Sequence, residues 1–192
     1  MPTIFLVYRA RKYRIIDGAM QRIVIIGNSG SGKSTLARQV SEILKILAIH
    51  IDALRFIEGG CWAERPKEEF RAKIIDAIAA DKWVFEGCGT STLPLRLERC
   101  DTIIFLDFNR FFCLYRAIKR RVQIHRKPRQ ELPKSCVDKI DRKFLKWILL
   151  DYPKLSRPSI IEMIYASGKQ VYHIKSRRQV RKLIENTQII RA

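Results

Sequence analysis

Long apolar runs and paired cysteines are both missing from this sequence. No apolar run in the 192 residues approaches the roughly 20 needed to cross a bilayer, so we expect neither a transmembrane helix nor a membrane partner. The five cysteines are scattered and form no C-x-x-C pair, which argues against a zinc ribbon or a disulfide framework. Isolated thiols in odd number suit a reducing compartment, so we predict a cytoplasmic protein.

Acidic residues are also scarce, because 19 Asp and Glu stand against 38 Lys and Arg, for a formal net charge of +19. The imbalance is uneven along the chain. Residues 1–108 carry 16 basic and 13 acidic side chains, whereas residues 109–192 carry 22 and 6. A basic C-terminal half suits polyphosphate substrates and nucleic acid equally well, and a solvated basic surface would look the same.

A glycine-rich segment follows the apolar run 22–26 and has the spacing G-x-x-x-x-G-K-S of a phosphate-binding P-loop. Glycines let successive backbone N–H groups converge on an anion, and the helix that follows adds its dipole. Lys33 can reach the β- and γ-phosphates, and the Ser34 hydroxyl can ligate Mg²⁺. A dinucleotide motif is disfavoured, because Thr35 stands where G-x-G-x-x-G requires glycine. We therefore predict an ATP and Mg²⁺ site formed by Gly27, Asn28, Ser29, Gly30, Ser31, Gly32, Lys33, Ser34 and Thr35.

Apolar runs that read as strands alternate with segments that read as helices, which predicts an α/β domain with a parallel sheet. The predicted strands are 22–26, 46–51, 83–86, 102–106 and 170–174. The predicted helices are about 36–44, 66–80, 93–97, 111–123, 137–150, 158–167 and 176–184. Parallel sheets bind ligands beyond the carboxyl ends of their strands, and Asp52, Glu86 and Asp107 stand at such ends.

Several segments, in this order, resemble the bacterial DNA topology modulation protein family, a branch of the adenylate-kinase-like P-loop kinases. They are I-V-I-I-G-N-S-G-S-G-K-S-T-L-A, H-I-D-A-L, W-V-F-E-G, D-T-I-I-F-L-D, R-A-I-K-R, F-L-K-W-I and S-R-R-Q-V. The resemblance covers about residues 21–185. It implies a P-loop NTPase three-layer sandwich with strand order 2-3-1-4-5, an acceptor-binding segment after the second strand and a small lid after the fourth.

The resemblance also implies a domain organisation: a kinase-like domain over 20–192 with its lid at about 120–137. Residues 1–19 carry basic residues after an apolar stretch, which is the reverse of a signal peptide. The first strand of P-loop folds usually lies almost at the start and Met20 would be a natural first residue, so we expect 1–19 to be a disordered extension or an artefact of an upstream start codon. Two positions depart from the related kinases. Glu86 replaces the aspartate of an Asp-Gly pair, and Cys88-Gly-Thr replaces F-P-R, so their acceptor specificity is not carried over.

At the start of the lid, the resemblance places Arg116 near the adenine and Arg120 near the transferring phosphates. Planar guanidinium groups suit a phosphoryl group in transfer, and we predict further lid contacts from Arg126 and, as an additional candidate, Arg129. A solvent-facing basic helix is the alternative, and we expect it for Lys119 and Arg121. The predicted catalytic set is Lys33, Asp52, Arg116, Arg120 and Arg126.

Asp52 follows the second predicted strand at the edge of the cleft. It could hold Mg²⁺ through water, as the partner of Ser34, or accept a proton from the acceptor hydroxyl, and the alternative is a helix cap or turn. Asp107 is either a Walker B acid or a structural cap. We expect His50 to pack rather than react. Trp62, in the acceptor segment, either stacks on a ligand or packs.

The predicted function is an ATP-dependent transfer of the γ-phosphoryl group to an unidentified small molecule, with nucleotides and nucleosides as the first options. The alternative is an ATP-dependent nucleic-acid-binding regulator of DNA topology, which rests on the basic C-terminal half and on the family's name. No helix-turn-helix or RNA-binding signature accompanies that charge. A degenerate kinase that only binds nucleotide is a third option.

Overall fold

The computed structural model describes residues 20–59, 62–124 and 140–189. Its centre is a parallel sheet of five strands: β1 (Arg22–Gly27), β2 (Ala48–His50), β3 (Trp83–Glu86), β4 (Thr102–Leu106) and β5 (Gln170–Ile174). The strands lie in the order β2-β3-β1-β4-β5, and every neighbouring pair is parallel. The predicted α/β class and strand order are confirmed.

Helices connect these strands: α1 (Lys33–Leu44), α2 (Ile51–Arg55), α3 (Lys67–Ala79), α4 (Leu93–Arg99), α5 (Arg110–Ile124), α6 (Arg142–Lys146), α7 (Arg157–Ala166) and α8 (Arg177–Ile189). A 3₁₀ turn, Thr90–Thr92, precedes α4. A π-helical segment, Trp147–Ser156, joins α6 to α7. The helices predicted near 137–150 and 158–167 are therefore one helical run from 142 to 166. Pro153 lies inside it, where the wider π turn accommodates a residue that has no N–H to donate.

Alternating residues of the central strands fill two apolar cores, one on each face of the sheet. Ile23 and Ile25 face a core that includes residues of α1, α5 and α8. Val24 and Ile26 face a second core with residues of α3, α4 and α7. All four side chains are fully buried. Burial on both faces explains why these strands read as continuous apolar runs, and it produces the predicted three layers.

The second strand is shorter than the sequence indicates. It was predicted over 46–51, but β2 has three residues and each of them is only half-buried. Lys45 ends α1 in a left-handed conformation, and the Ile46 N–H donates back to Ser41, so both residues belong to the turn. Ile51 already begins α2. Asp52 therefore lies in the first turn of a short helix, not directly after a strand.

Ile75 of α3 is apolar, but its side chain is 46% exposed. The core face of α3 is formed by Phe70, Ile74 and Ile78. Of the predicted lid, residues 120–124 continue α5 and the others lie outside the described residues, as does the segment 1–19. No helix in the described part of the chain is long and apolar enough to span a membrane.

Candidate active site

The P-loop connects the end of β1 to the start of α1 and packs against β4 and α5. Gly27, the last residue of β1, pairs with Leu106 in the sheet. Gly30 has a φ of +81°, and a Cβ there would overlap the Cys113 carbonyl of α5. Only glycine combines this conformation with so close an approach of another backbone. Gly30 stands at a variable position of the motif, so this packing constraint belongs to the present fold and not to the motif itself.

Helix α1 begins without a side-chain cap and without an acidic residue in its first turn. The N–H groups of an uncapped first turn, together with the helix dipole, favour an anion. Lys33 Nζ donates to the Asn28 carbonyl at 3.0 Å, so the ammonium group lies at the loop. Ser31 Oγ is buried and has no hydrogen-bond partner, which leaves a polar atom of the loop unsatisfied. These donors fit the phosphates of a nucleoside triphosphate.

The side chain of Asn28, unlike the loop backbone, binds another part of the protein. It is buried, its Nδ2 donates to the Ile148 carbonyl at 3.0 Å, and its Oδ1 accepts from the Ser29 N–H at 2.8 Å. Ile148 belongs to the π-helical segment. The Asn28 side chain therefore fastens the P-loop to that segment, and only its backbone is left as a candidate phosphate contact.

Glu86 lies beside the predicted metal ligand. Ser34 Oγ donates to Glu86 Oε1 at 3.2 Å, and His50 Nδ1 lies 2.8 Å from the same oxygen. Because a carboxylate only accepts, the proton in the second bond belongs to His50. Burial raises the pKa of Glu86, but the His50 hydrogen bond, the Lys33 charge and the Ser34 hydrogen bond outweigh it, so the pKa is lower than usual. A carboxylate anion and a hydroxyl are thus adjacent where oxygen ligands would suit Mg²⁺.

A second group of charges lies next to the P-loop, around Cys88. Burial raises the pKa of the Cys88 thiol, while the positive charges of Lys33, Arg96 and Arg55 lower it and the carboxylate of Asp52 raises it again. These charged groups therefore lie close enough to the thiol to change its pKa. Asp52, half-buried in α2, was predicted for this cleft, whereas Arg55 was missed.

Arg55 lies one helical turn after Asp52, with its guanidinium 5.6 Å from the centre of the Phe70 ring. Across the described ranges, no carboxylate forms an ion pair with it. An arginine without an acidic partner at the edge of a cleft suits an anionic group of a ligand. The sequence already shows Arg55 three residues after Asp52, a spacing that could have identified it as a second residue of this site.

Arg96 of α4 is fully buried and holds the loop that follows β3. It donates to the carbonyls of Gly87, Cys88 and Gly89 at 2.9, 3.3 and 2.9 Å. Burial lowers its pKa to about 10. Gly87 has a φ of +131°, and a Cβ there would overlap the Ile51 side chain. The loop is therefore fixed from both sides between the P-loop and α2.

Of the predicted lid arginines, Arg116 contacts the P-loop. Its Nη1 donates to the Ser31 carbonyl at 2.9 Å, and its guanidinium lies 5.7 Å from the centre of the Phe112 ring. Burial and the nearby positive charge of Arg177 lower its pKa. Arg120 lies one turn further along α5 and is half-buried. Arg126 and Arg129 lie outside the described residues.

Asp107, which follows β4, forms hydrogen bonds with residues of α7 and β5. Arg157 binds both of its oxygens at 2.7 Å, and His173 Nε2 lies 2.8 Å from Oδ2. Burial raises its pKa, but these two partners lower it well below its ordinary value. This favours the structural alternative for Asp107. Nowhere in residues 20–59, 62–124 and 140–189 do three or more His, Cys, Asp or Glu side chains form a cluster that could hold a metal ion.

The chain is similar in structure to shikimate kinases. One, from Acinetobacter baumannii in complex with shikimate, is 16% identical, with a TM-score of 0.54 over 89% of this chain and 93% of that chain. Another, from Bacteroides thetaiotaomicron, is 19% identical, with a TM-score of 0.52 over 90% and 98%. The chain has the P-loop NTPase fold. No family model and no curated protein matches the chain, so the DNA topology modulation family stays a resemblance.

Proposed function

We propose that this protein is an ATP-dependent phosphotransferase that acts on a small molecule. The observation that carries the proposal is the contact between Ser34 and Glu86 at the mouth of the P-loop, beside Lys33. This contact places a hydroxyl and a carboxylate, which could ligate a metal ion, beside the ammonium group of Lys33, which could bind phosphates. A shikimate-kinase-like fold supports the same reading.

The P-loop backbone and Lys33 would bind the donor phosphates, and Ser34 with Glu86 would hold Mg²⁺. Mg²⁺, when bound, neutralises charge on the phosphate oxygens. Arg116 would fix the nucleotide against α5 from its position on the Ser31 carbonyl. Arg120 and Arg126 remain proposed lid contacts that shield the transferring group from water.

Asp52 and Arg55 would bind the acceptor on the other side of the cleft. Asp52 would orient the acceptor hydroxyl or take up its proton, and Arg55 would bind a negatively charged group of the acceptor. Arg96 would keep the 87–89 loop in place between the two ligands. A hydroxylated, negatively charged metabolite is therefore the acceptor class we propose to screen first, with nucleotides and nucleosides included.

The test is an ADP-release screen with the full chain across nucleotides, nucleosides, sugar phosphates and hydroxy acids. We expect at least one acceptor to support turnover, and Lys33→Ala to reduce it by a factor of about 10³ or more through the loss of phosphate charge stabilisation. Lys82→Ala, at an exposed turn, is the matched control and should turn over normally. Equal rates in the Lys33 variant and the wild type would refute the mechanism.

A further inference from the structure

Helix α5 carries a row of exposed apolar side chains on its outer face. Phe111, Tyr115, Ile118 and Val122 are 60%, 61%, 44% and 69% exposed. We call these four residues the α5 stripe. Their spacing of four, three and four residues places them on one side of the helix, like the a and d positions of a heptad.

The opposite side of α5 is fixed to the body of the protein. Cys113 and Ala117 are fully buried, and Arg116 binds the Ser31 carbonyl. The helix therefore cannot rotate to bury the α5 stripe. Isolated exposed apolar residues are common on soluble proteins, but a contiguous row of them marks an interaction site.

Basic residues border the α5 stripe on both sides. At 3.6 residues per turn, Lys119 lies along one edge and Arg121 along the other. Arg110 stacks on Phe111, with 5.1 Å between its guanidinium carbon and the ring centre. Residues 110–124 contain no Asp or Glu. The surface is thus a narrow apolar seam with positive edges.

We propose that the α5 stripe is a docking surface for an acidic amphipathic helix of a partner protein. A seam limited to a and d positions matches the apolar face of one helix, and helix-on-helix packing would bury it. Glutamates beside the partner's seam would face Lys119 and Arg121. These pairs would set which helix binds, while the apolar contacts would supply most of the affinity.

Charge and shape disfavour the other occupants. A second copy would bring Lys119 and Arg121 against the same positive edges. The chain's own segments 1–19 and 125–139 each carry a net charge of +3, from four basic and one acidic residue and from five and two, so neither complements the positive edges. A helix that lies on a membrane presents a broader apolar face than this seam. Phe111 and Tyr115 carry exposed rings, but Ile118 and Val122 complete the stripe without a ring on which a nucleic acid base could stack.

The experiment uses a fluorescent helical peptide of about three heptads, with leucine at a and d and glutamate at e and g. Fluorescence anisotropy with the full chain, at an ionic strength of about 0.15 M, should give a dissociation constant of about 10 µM or lower. A peptide of the same composition with dispersed leucines should bind at least tenfold more weakly. Binding is measured without ATP, so its outcome is independent of the proposed function.

Two variants locate the binding surface. Tyr115→Ser with Val122→Ser should weaken peptide binding at least tenfold, whereas Leu47→Ser, a control at a side chain that is 74% exposed, should not change it. Lys119→Glu with Arg121→Glu should transfer the preference to a peptide with lysine at e and g. This reversal does not depend on the first variant, and unchanged circular dichroism would show that both pairs leave the fold intact.

Four results would overturn the proposal. The acidic peptide could fail to bind, or the dispersed peptide could bind as well as the designed one, which would reduce the effect to net charge. Phosphatidylserine vesicles could bind the wild type tightly and the serine variant weakly, which would make the surface a membrane site. A dimer in sedimentation that disappears in the serine variant would make it a contact between two copies.

Discussion

At the scale of single residues, Glu86 is the side chain whose surroundings say most about function. It is 4% exposed and accepts hydrogen bonds from His50 and Ser34, with Lys33 near enough to lower its pKa. Burial without such partners would leave it protonated. The protein instead maintains a buried anion beside the P-loop, which is the arrangement that a divalent cation would need.

Replacing Glu86 by Gln would remove that anion and keep the size of the side chain. We expect the Mg²⁺ concentration for half-maximal turnover to rise about 10- to 100-fold, as is typical when a group that supports a metal ligand is lost. A magnesium titration at saturating ATP measures it. Glu98→Gln, at an exposed position, is the control. A titration curve that does not move would show that Glu86 plays no part in metal binding.

Only part of this site could be predicted from the sequence. Lys33 and Ser34 follow from spacing, because a P-loop is a local structure that a short motif determines. The bond between His50 and Glu86 depends on the register between β2 and β3, which pairs these two residues and which no local pattern encodes. His50 was expected only to pack. Arg96 was missed because an arginine in a short helix usually lies at the surface, and only the tertiary structure buries it.

At the scale of elements, strands that are buried on both faces were easiest to predict. The bounds of β3 and β4 agree with the sequence, because their unbroken buried runs end where burial ends. The bounds of the edge strand β5 also agree, although it is only partly buried. The edge strand β2 is shorter than predicted, because Ile46 and Leu47 lie between α1 and β2 and Ile51 already begins α2. Residues 151–156 of the π-helical segment lie in the gap predicted between two helices, because a proline such as Pro153 usually interrupts an α-helix.

Asp107 joins the end of β4 to α7 through Arg157 and to β5 through His173. Asp107→Asn should lower the free energy of unfolding by about 2–3 kcal/mol at pH 7, because hydrogen bonds to a charged group are lost. Its pKa lies below the ordinary value of 3.8, so the carboxylate's contribution is complete above that pH and declines as the pH falls through the lower folded value.

Urea denaturation of both proteins at neutral pH and below pH 3.8 measures this difference, which should shrink under acid. Asp76→Asn, on the exposed side of α3, serves as the control. An equal loss of stability at both pH values would mean that the Asp107 charge contributes nothing and that the side chain acts only through its shape.

At the scale of the whole molecule, the charge distribution connects the fold to its ligands. The surplus of basic residues lies in residues 109–192, which include α5 and α8. Arg177, at the start of α8, lies near enough to Arg116 for its charge to lower that residue's pKa. Because Arg116 binds the P-loop, part of this positive potential lies beside the predicted nucleotide site. We propose that this potential attracts the polyphosphate of a nucleotide.

If this potential draws ATP to the site, its effect must weaken as salt screens it. We expect the KM for ATP to rise several-fold between ionic strengths of about 0.05 M and 0.3 M, with a much smaller change in kcat, because screening acts on encounter and not on the transfer step.

Arg178→Glu with Arg181→Glu, at exposed positions of α8, should raise the KM for ATP at low salt and flatten its dependence on ionic strength. Lys82→Glu with Lys67→Glu makes the same charge change in the N-terminal half and should leave the slope close to that of the wild type. A KM for ATP that does not change with salt would show that the basic half does not serve to attract the nucleotide. Steep salt-dependent binding of duplex DNA in the same buffers would instead show that the basic half binds nucleic acid.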